Sequence, residues 1–179
     1  DNTDYKVLDP ACGSGVFLVG AYRRLIYRWR KKNHWKNPTL RTLKKLLRDN
    51  IFGVELNGDA ADLTVFSLSL ALCDELTPLD IWENLKFDDL HEKNILNDDF
   101  FNSLSNGQLA NDFDLIIGNP PFEAKLTESA QKIEDQKVNE RTIQIASEKE
   151  VRKKQSVKLP DNQINLLFLE QALKLCKQQ

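Results

Sequence analysis

Asp114-Leu115-Ile116-Ile117-Gly118-Asn119-Pro120-Pro121-Phe122 decides how the rest of the chain is read. The apolar run Leu115 to Ile117 predicts a short buried strand. Two prolines, each without an N–H and with φ fixed, cannot continue it. The strand therefore ends at Gly118, and Asn119 and Phe122 are presented at its carboxyl end. In open α/β sheets, ligands bind along that edge.

The opening of the chain supplies a matching half. Tyr5 to Leu8 predicts a strand, Asp9-Pro10-Ala11-Cys12-Gly13-Ser14-Gly15 a tight loop, and Val16-Phe17-Leu18-Val19 the start of a helix. Gly-x-Gly between strand and helix lets the backbone approach a ligand closely. The dinucleotide fingerprint is incomplete, because its third glycine position is Leu18, so a pyrophosphate on the helix end is not expected. The helix extends to about Lys32, with Arg23, Arg24, Arg28, Arg30, Lys31 and Lys32 interleaved by Tyr27, Trp29 and Trp35. This end lies away from the strand carboxyl ends. A solvated face or a contact to another domain is therefore favoured over a nucleic-acid patch.

Leu40, Leu43, Leu46 and Leu47 recur at helical spacing, and Asn50 closes that helix. Ile51 to Val54 predicts a second buried strand ending in Glu55, where a carboxylate can accept from both hydroxyls of a ribose. Asp59 to Leu76 predicts a helix whose stripe Leu63, Phe66, Leu70 and Cys73 faces the core. Ile95-Leu96 predicts a brief third strand, with Asp98 and Asp99 at its end. Residues 79–93 carry no clear pattern, and His91 has no partner at catalytic or ligand spacing. Glu123 to Lys158 is charged and lacks glycine and proline. Ile133, Val138, Ile143 and Ile145 give it one weak helical stripe, so it is expected to be mobile or loosely helical. A last helix follows Asn162, with Ile164, Leu167, Phe168 and Leu175 as its buried face.

Charged residues are 29% of the 179 and hydrophobic ones 41%, ordinary for a globular chain, and no apolar run is long enough to span a bilayer. Cys12, Cys73 and Cys176 fit neither a zinc spacing nor a disulfide framework, so no metal and a cytoplasmic, reducing setting are expected. Net charge is −2, which does not announce a nucleic-acid partner and does not exclude one. With no Met and a helical pattern at its end, the sequence is expected to be a segment of a longer protein.

The order strand, Asp-Pro-Ala-Cys-Gly-Ser-Gly, helix, strand-Glu, helix, strand-Asp, strand-Asn-Pro-Pro-Phe resembles the amino-group DNA methyltransferases that use S-adenosylmethionine. It is most similar to the adenine-N6 enzymes of restriction–modification and phage-defence systems. The resemblance covers residues 5–122 and extends to Gln163-Ile164-Asn165-Leu166-Leu167-Phe168-Leu169-Glu170. It implies an α/β, three-layer Rossmann-like class I methyltransferase fold with a mostly parallel sheet, truncated at both ends. Residues 1–122 would be the cofactor-binding and catalytic core, 123–158 a charged mobile insertion, and 159–179 the helix after the catalytic strand. Asp9, Ala11, Cys12, Gly13 and Gly15 look like the loop around the methionine part of S-adenosyl-L-methionine, with Asp9 near its ammonium. Phe17 is similar to a ring packed near the cofactor. Glu55 matches the ribose acid, and Leu56 the apolar neighbour of the adenine. Asp99, or Asp98 if the register slips by one, matches the acid that reads the adenine amino group. Asn119, Pro120, Pro121 and Phe122 match the catalytic tetrapeptide.

That chemistry suits the residue types. An adenine N6 nitrogen is a poor nucleophile because its lone pair is delocalised into the ring. The side-chain oxygen of Asn119 and the carbonyl of Pro120 can each accept one of its N–H groups and localise the lone pair. Phe122 can stack on a base flipped out of double-stranded DNA. The resemblance further implies a target-recognition domain or specificity subunit outside this chain, no membrane, and no activity for the 179 residues alone. Their exposed strand edge is expected to favour self-association. Two alternatives remain open at this stage. One is a protein glutamine-amide methyltransferase, which also uses Asn-Pro-Pro-aromatic. The other is a non-catalytic module for cofactor binding or partner docking.

Overall fold

The computed structural model describes residues 4–121, 126–140, 142–145, 153–156 and 163–177. The chain forms two compact units, 1–119 with 174–179, and 120–173.

The first unit is built on a parallel sheet. Its strands are β1 (Val7–Asp9), β2 (Ile51–Glu55), β3 (Ile95–Asn97) and β4 (Leu115–Ile116), in the order β3-β2-β1-β4. Val7 lies opposite both Ile51 and Leu115, and Gly53 lies opposite Ile95. Parallel neighbours need crossovers. Here they are α1 (Val16–Lys32) and α2 (Leu40–Asn50) between β1 and β2, then α3 (Gly58–Cys73) and α4 (Pro78–Asn84) before β3. A short α5 (Phe100–Ser105) separates β3 from β4. Strand order reverses direction beside β1: β2 and β3 lie to one side of it and β4 to the other. This is a Rossmann-like methyltransferase arrangement, and its topological switch point falls between the carboxyl ends of β1 and β4.

Helices α2 to α5 each start where a side chain satisfies free N–H groups. Thr39 accepts from Thr42 N at the start of α2, Asn57 from Ala60 N at α3, Thr77 from Asp80 N at α4, and Asp99 from Phe101 N and Asn102 N at α5. A core forms between the sheet and α1–α3. It includes Val7, Leu18, Tyr22, Leu25, Ile26, Leu43, Ile51, Leu68 and Ile95. Full burial of a side chain of this size stabilises by about 1.5–3 kcal/mol.

Two sequence expectations are corrected. Leu63, Phe66 and Leu70 are 47%, 57% and 50% exposed, and Cys73 is only partly buried. The face of α3 that enters the core carries Ala61, Thr64, Leu68, Ala71 and Leu72. This helix is apolar nearly all round, so periodicity offers two stripes. The smaller residues win because α3 must sit close to the Gly-x-Gly loop: a Cβ on Gly15 would lie 2.9 Å from Thr64. The strand Leu115 to Ile117 is also not buried. Leu115 is 37% exposed because β4 is the edge of the sheet. Just before β4 the chain is tied to the end of the sequence: Phe113 N donates to Leu175 O, and Lys177 N donates to Phe113 O. The patternless stretch after residue 78 contains α4, and His91 bridges to Ile95 with its Nε2 3.8 Å from Asp62.

The second unit contains α6 (Glu128–Glu140), an antiparallel pair β5 (Thr142–Ile145) and β6 (Lys153–Ser156), and most of α7 (Ile164–Leu175). The one weak stripe of the sequence thus spans two kinds of element. Ile133 is buried on α6, while Ile143 and Ile145 fall within β5. In α7, Ile164, Leu167, Phe168 and Leu175 are buried as their spacing predicts, together with Gln171 and Ala172.

Candidate active site

The carboxyl ends of β1 and β4 meet through two residues. Asp9, the last residue of β1, is fully buried, and its Oδ1 accepts from Ala11 N at 3.1 Å. Its Oδ2 is also buried and has no hydrogen-bond partner among the described residues. Burial first, and the nearby Glu55 carboxylate to a lesser degree, push the Asp9 carboxyl up to about 6, against the lowering effect of the Ala11 N–H. From the other side, Gly118 approaches so closely that a Cβ there would lie 2.6 Å from Asp9 Oδ1 and 3.4 Å from the Pro10 ring. Glycine is required by this approach, not by a turn. Asn119 follows at once and is exposed.

The loop after Asp9 is held from below and from the side. Cys12 N donates to Val54 O, and Gly15 N to Cys12 O. Gly13 and Gly15 take φ of +55° and +81°, left-handed values that glycine adopts without strain. Gly13 N donates to Glu55 Oε2 at 2.8 Å, and Thr64 Oγ1 donates to Gly13 O at 2.7 Å. The Cys12 thiol is buried, 3.7 Å from Thr64 Oγ1, and burial pushes it up to about 12. It is neutral at ordinary pH and unsuited to nucleophilic attack. Cys12 and Ala11 therefore contribute backbone to the loop.

Glu55 has a role that the sequence alone did not display. Besides Gly13 N, it accepts from Asn57 N at 2.9 Å, so the carboxylate ties the loop after β1 to the turn after β2. Each oxygen keeps a further lone-pair site, which leaves a pair of hydroxyls room to donate. Past β3, Asp98 accepts from Asp99 N, from Asn102 Nδ2 through both oxygens, and from Ser103 Oγ. Asp99 caps α5 through Oδ1 alone, at 2.7 Å from Phe101 N and 3.1 Å from Asn102 N. Of the two acids, Asp99 keeps the freer oxygen. Asn97 braces the region by donating to both Glu55 O and Leu56 O.

Phe17 and Leu56 are 49% and 65% exposed, and follow directly on the loop and on β2. Exposed apolar groups beside a polar crevice suit the covering of a flat ring. The fold thus brings Asp9, Gly13, Gly15, Glu55 and Asn119 to one edge of one unit. Pro120 and Pro121 begin the second unit, and Phe122 lies outside the described residues. Gly118, Thr64, Asn97, Asn102 and Ser103 were not singled out from the sequence. Gly118 gave a signal, a glycine between an apolar run and an asparagine, while the other four depend on contacts distant in sequence. No group of His, Cys, Asp and Glu among the described residues could hold a metal ion. No helix among them is long and apolar enough to cross a membrane.

A parallel α/β sheet with a glycine-rich loop and a buried acid at its switch point is a Rossmann-like methyltransferase fold. Residues 49–179 match the Eco57I restriction-modification methylase family, and the chain belongs to that family. Two relatives are similar over shorter stretches. The adenine-specific methyltransferase PglX of Streptomyces coelicolor is 35% identical over 68 residues, 38% of this chain and 6% of that protein. The adenine-specific methyltransferase BrxX of Escherichia coli O9:H4 is 43% identical over 65 residues, 35% of this chain and 5% of that protein. A nuclease-deletion mutant of the Type ISP restriction-modification enzyme LlaGI, solved with a DNA substrate mimic, aligns at a TM-score of 0.47 and 16% identity. That alignment covers 70% of this chain and 11% of the other. The chain therefore spans a small part of the length of the relatives it matches.

Proposed function

We propose that the protein transfers a methyl group from S-adenosylmethionine to the N6 amino group of adenine in double-stranded DNA, as the catalytic part of a larger restriction–modification or phage-defence enzyme. The observation that carries this is the meeting of Asp9 and Gly118. It sets the asparagine of Asn-Pro-Pro one residue from a buried acid, one oxygen of which has no partner among the described residues.

The residues present fit that cofactor. Asp9 Oδ2 is a buried acceptor suited to an ammonium, which would restore the charged carboxylate that burial disfavours. Glu55 retains lone pairs for a ribose diol. Phe17 and Leu56 would flank an adenine ring, and Asp99 Oδ2 would accept from its amino group. When bound, the cofactor supplies an electrophilic methyl on a sulfonium.

Asn119 accepts an N–H of the target amine through its side-chain oxygen, and the Pro120 carbonyl accepts the other. Together they orient the nitrogen lone pair, and no strong general base is required. Phe122 stacks on the flipped base. A target-recognition domain or specificity subunit elsewhere supplies the recognised sequence, and the 179 residues alone are inactive. Adenine-specific relatives and the Asp-Pro-Ala-Cys loop favour DNA over a glutamine side chain as acceptor.

The test is mass spectrometry of genomic DNA from cells carrying the full-length gene, the gene with Asn119→Ala, or neither. N6-methyladenine should depend on the gene and fall about 10²–10³-fold in rate with the substitution, by analogy with loss of one oriented polar group. Methylation that survives Asn119→Ala within a few-fold would overturn the assignment.

A further inference from the structure

Residues 10–50 hold eleven Lys and Arg and a single acid, Asp49, a balance of +10 in a chain whose total is −2. The fold gathers much of this charge on one surface. On α2, Leu43, Leu46 and Leu47 are buried, and the opposite side carries Arg41, Lys44, Lys45 and Arg48 at helical spacing. Thr39, Arg41, Lys44, Lys45, Arg48 and Asp88 line one shallow groove. Lys32, at the end of α1, shares a second groove with Lys45, so the basic ends of two helices adjoin.

Acids offset only part of it. Lys44 pairs with Asp88 at 3.0 Å, Asp49 is shared by Lys45 and Arg48, and Asp4 lines the second groove. Arg23 and Arg30 are drawn off to Asp74 and Glu75. Arg24 and Arg28 lie over the rings of Tyr27 and Tyr5, 5.2 and 5.0 Å from their centroids. Among the described residues, Lys32, Lys36 and Arg41 form no ion pair. Exposed Tyr27 and Trp35 stack edge to face, 5.3 Å apart, at the same end of α1.

The sequence favours a solvated face or a domain contact for the end of α1, but the structure sets the basic side of α2 beside it, and we infer that the combined face binds the phosphate backbone of duplex DNA away from the target base. The inference rests on the reading of DNA as substrate. Arg41 to Arg48 spans about 10 Å of helix, comparable to three phosphate steps along one strand. Since α1 is 17 residues long, its basic end lies about 25 Å from the Gly15 loop, on the order of seven base-pair steps. A duplex meeting both places must be followed well beyond the flipped base.

The test is a salt titration of binding to a 40-base-pair duplex of arbitrary sequence, read by fluorescence anisotropy on the full-length protein. Substituting Lys32, Arg41, Lys45 and Arg48 together by Gln should make the slope of log affinity against log salt shallower by about two or more, at roughly 0.9 for each phosphate no longer neutralised. Arg41→Gln alone should reduce it by about one, which keeps the test available if the fourfold variant does not fold. Arg41→Lys with Arg48→Lys should keep the wild-type slope. Asn119→Ala should keep the slope while losing methylation, so failure at this face and failure of the methyltransferase reading give different results. A folded fourfold variant with the wild-type slope would overturn the inference and leave the surface to an acidic protein partner.

Discussion

Asp9 and Gly118 touch across the switch point of the sheet: the only side chain Gly118 can carry without displacing the Asp9 carboxylate is a hydrogen, since a Cβ would stand 2.6 Å from Oδ1. This contact couples the loop after β1 to the backbone that presents Asn119, so the glycine-rich loop and the asparagine are positioned together.

Gly118→Ala should therefore displace Asp9, with a cost of about 1–3 kcal/mol from overpacking. Pairing it with Asp9→Ala removes the collision. A double-mutant cycle by chemical denaturation should show a coupling energy of about 0.5–3 kcal/mol in the sense of rescue. Additive losses would show that the two residues do not constrain one another.

Asp9 sets a pH dependence whose sign follows from its raised value of about 6 against 3.8 unperturbed. Below the lower value the group is neutral in both states and contributes nothing. Between them the folded state holds the proton more tightly, so this group's contribution to stability falls as pH rises. Above 6 the loss is fully developed, about 3 kcal/mol. Asp9→Asn should remove it while keeping the bond from Ala11 N. The variant should be more stable than wild type at pH 7.5, with the difference vanishing near pH 3.5, and should bind S-adenosylmethionine more weakly. Equal stability differences at both pH values would contradict the assignment.

Glu55→Gln replaces one carboxylate oxygen by an NH₂ that cannot accept from Gly13 N or Asn57 N. Losing a charge-assisted hydrogen bond costs about 1.5–3 kcal/mol, and calorimetry should record a ten- to hundredfold weaker cofactor affinity. An unchanged dissociation constant would confine Glu55 to bracing the loop.

The outer side of Leu115–Ile117 carries no charge or bulge to deter pairing with another strand. The 179 residues expressed alone should associate through it, with sedimentation velocity showing a concentration-dependent shift to larger species. A monomer at all concentrations would count against an accessible edge. Ile116→Lys, by placing charge on the strand, should favour the monomer.

The sequence by itself determined the order of the strands β1 to β4 and of the helices α1, α2 and α3, because β1 and β2 can lie parallel only with a helical return between them, while α4 and α5 were not legible in it. It also marked the residues with special backbone demands, Gly13, Gly15 and the Pro-Pro pair, and the polar groups at strand ends, Asp9, Glu55, Asp99 and Asn119. These features are local: a missing N–H, a left-handed φ or a period of 3.6 leaves its mark within a few residues. Tertiary structure alone decided which stripe of α3 faces the core, since Leu63-Phe66-Leu70 and Ala61-Thr64-Leu68 satisfy the same period. Close approach to Gly15 admits only the smaller set. It also decided that Asp98 is committed to Asn102 and Ser103 and that Gly118 is pressed against Asp9. Each of these depends on how the chain packs rather than on its local pattern, and packing fixes burial and partner choice while leaving no periodic trace in the sequence.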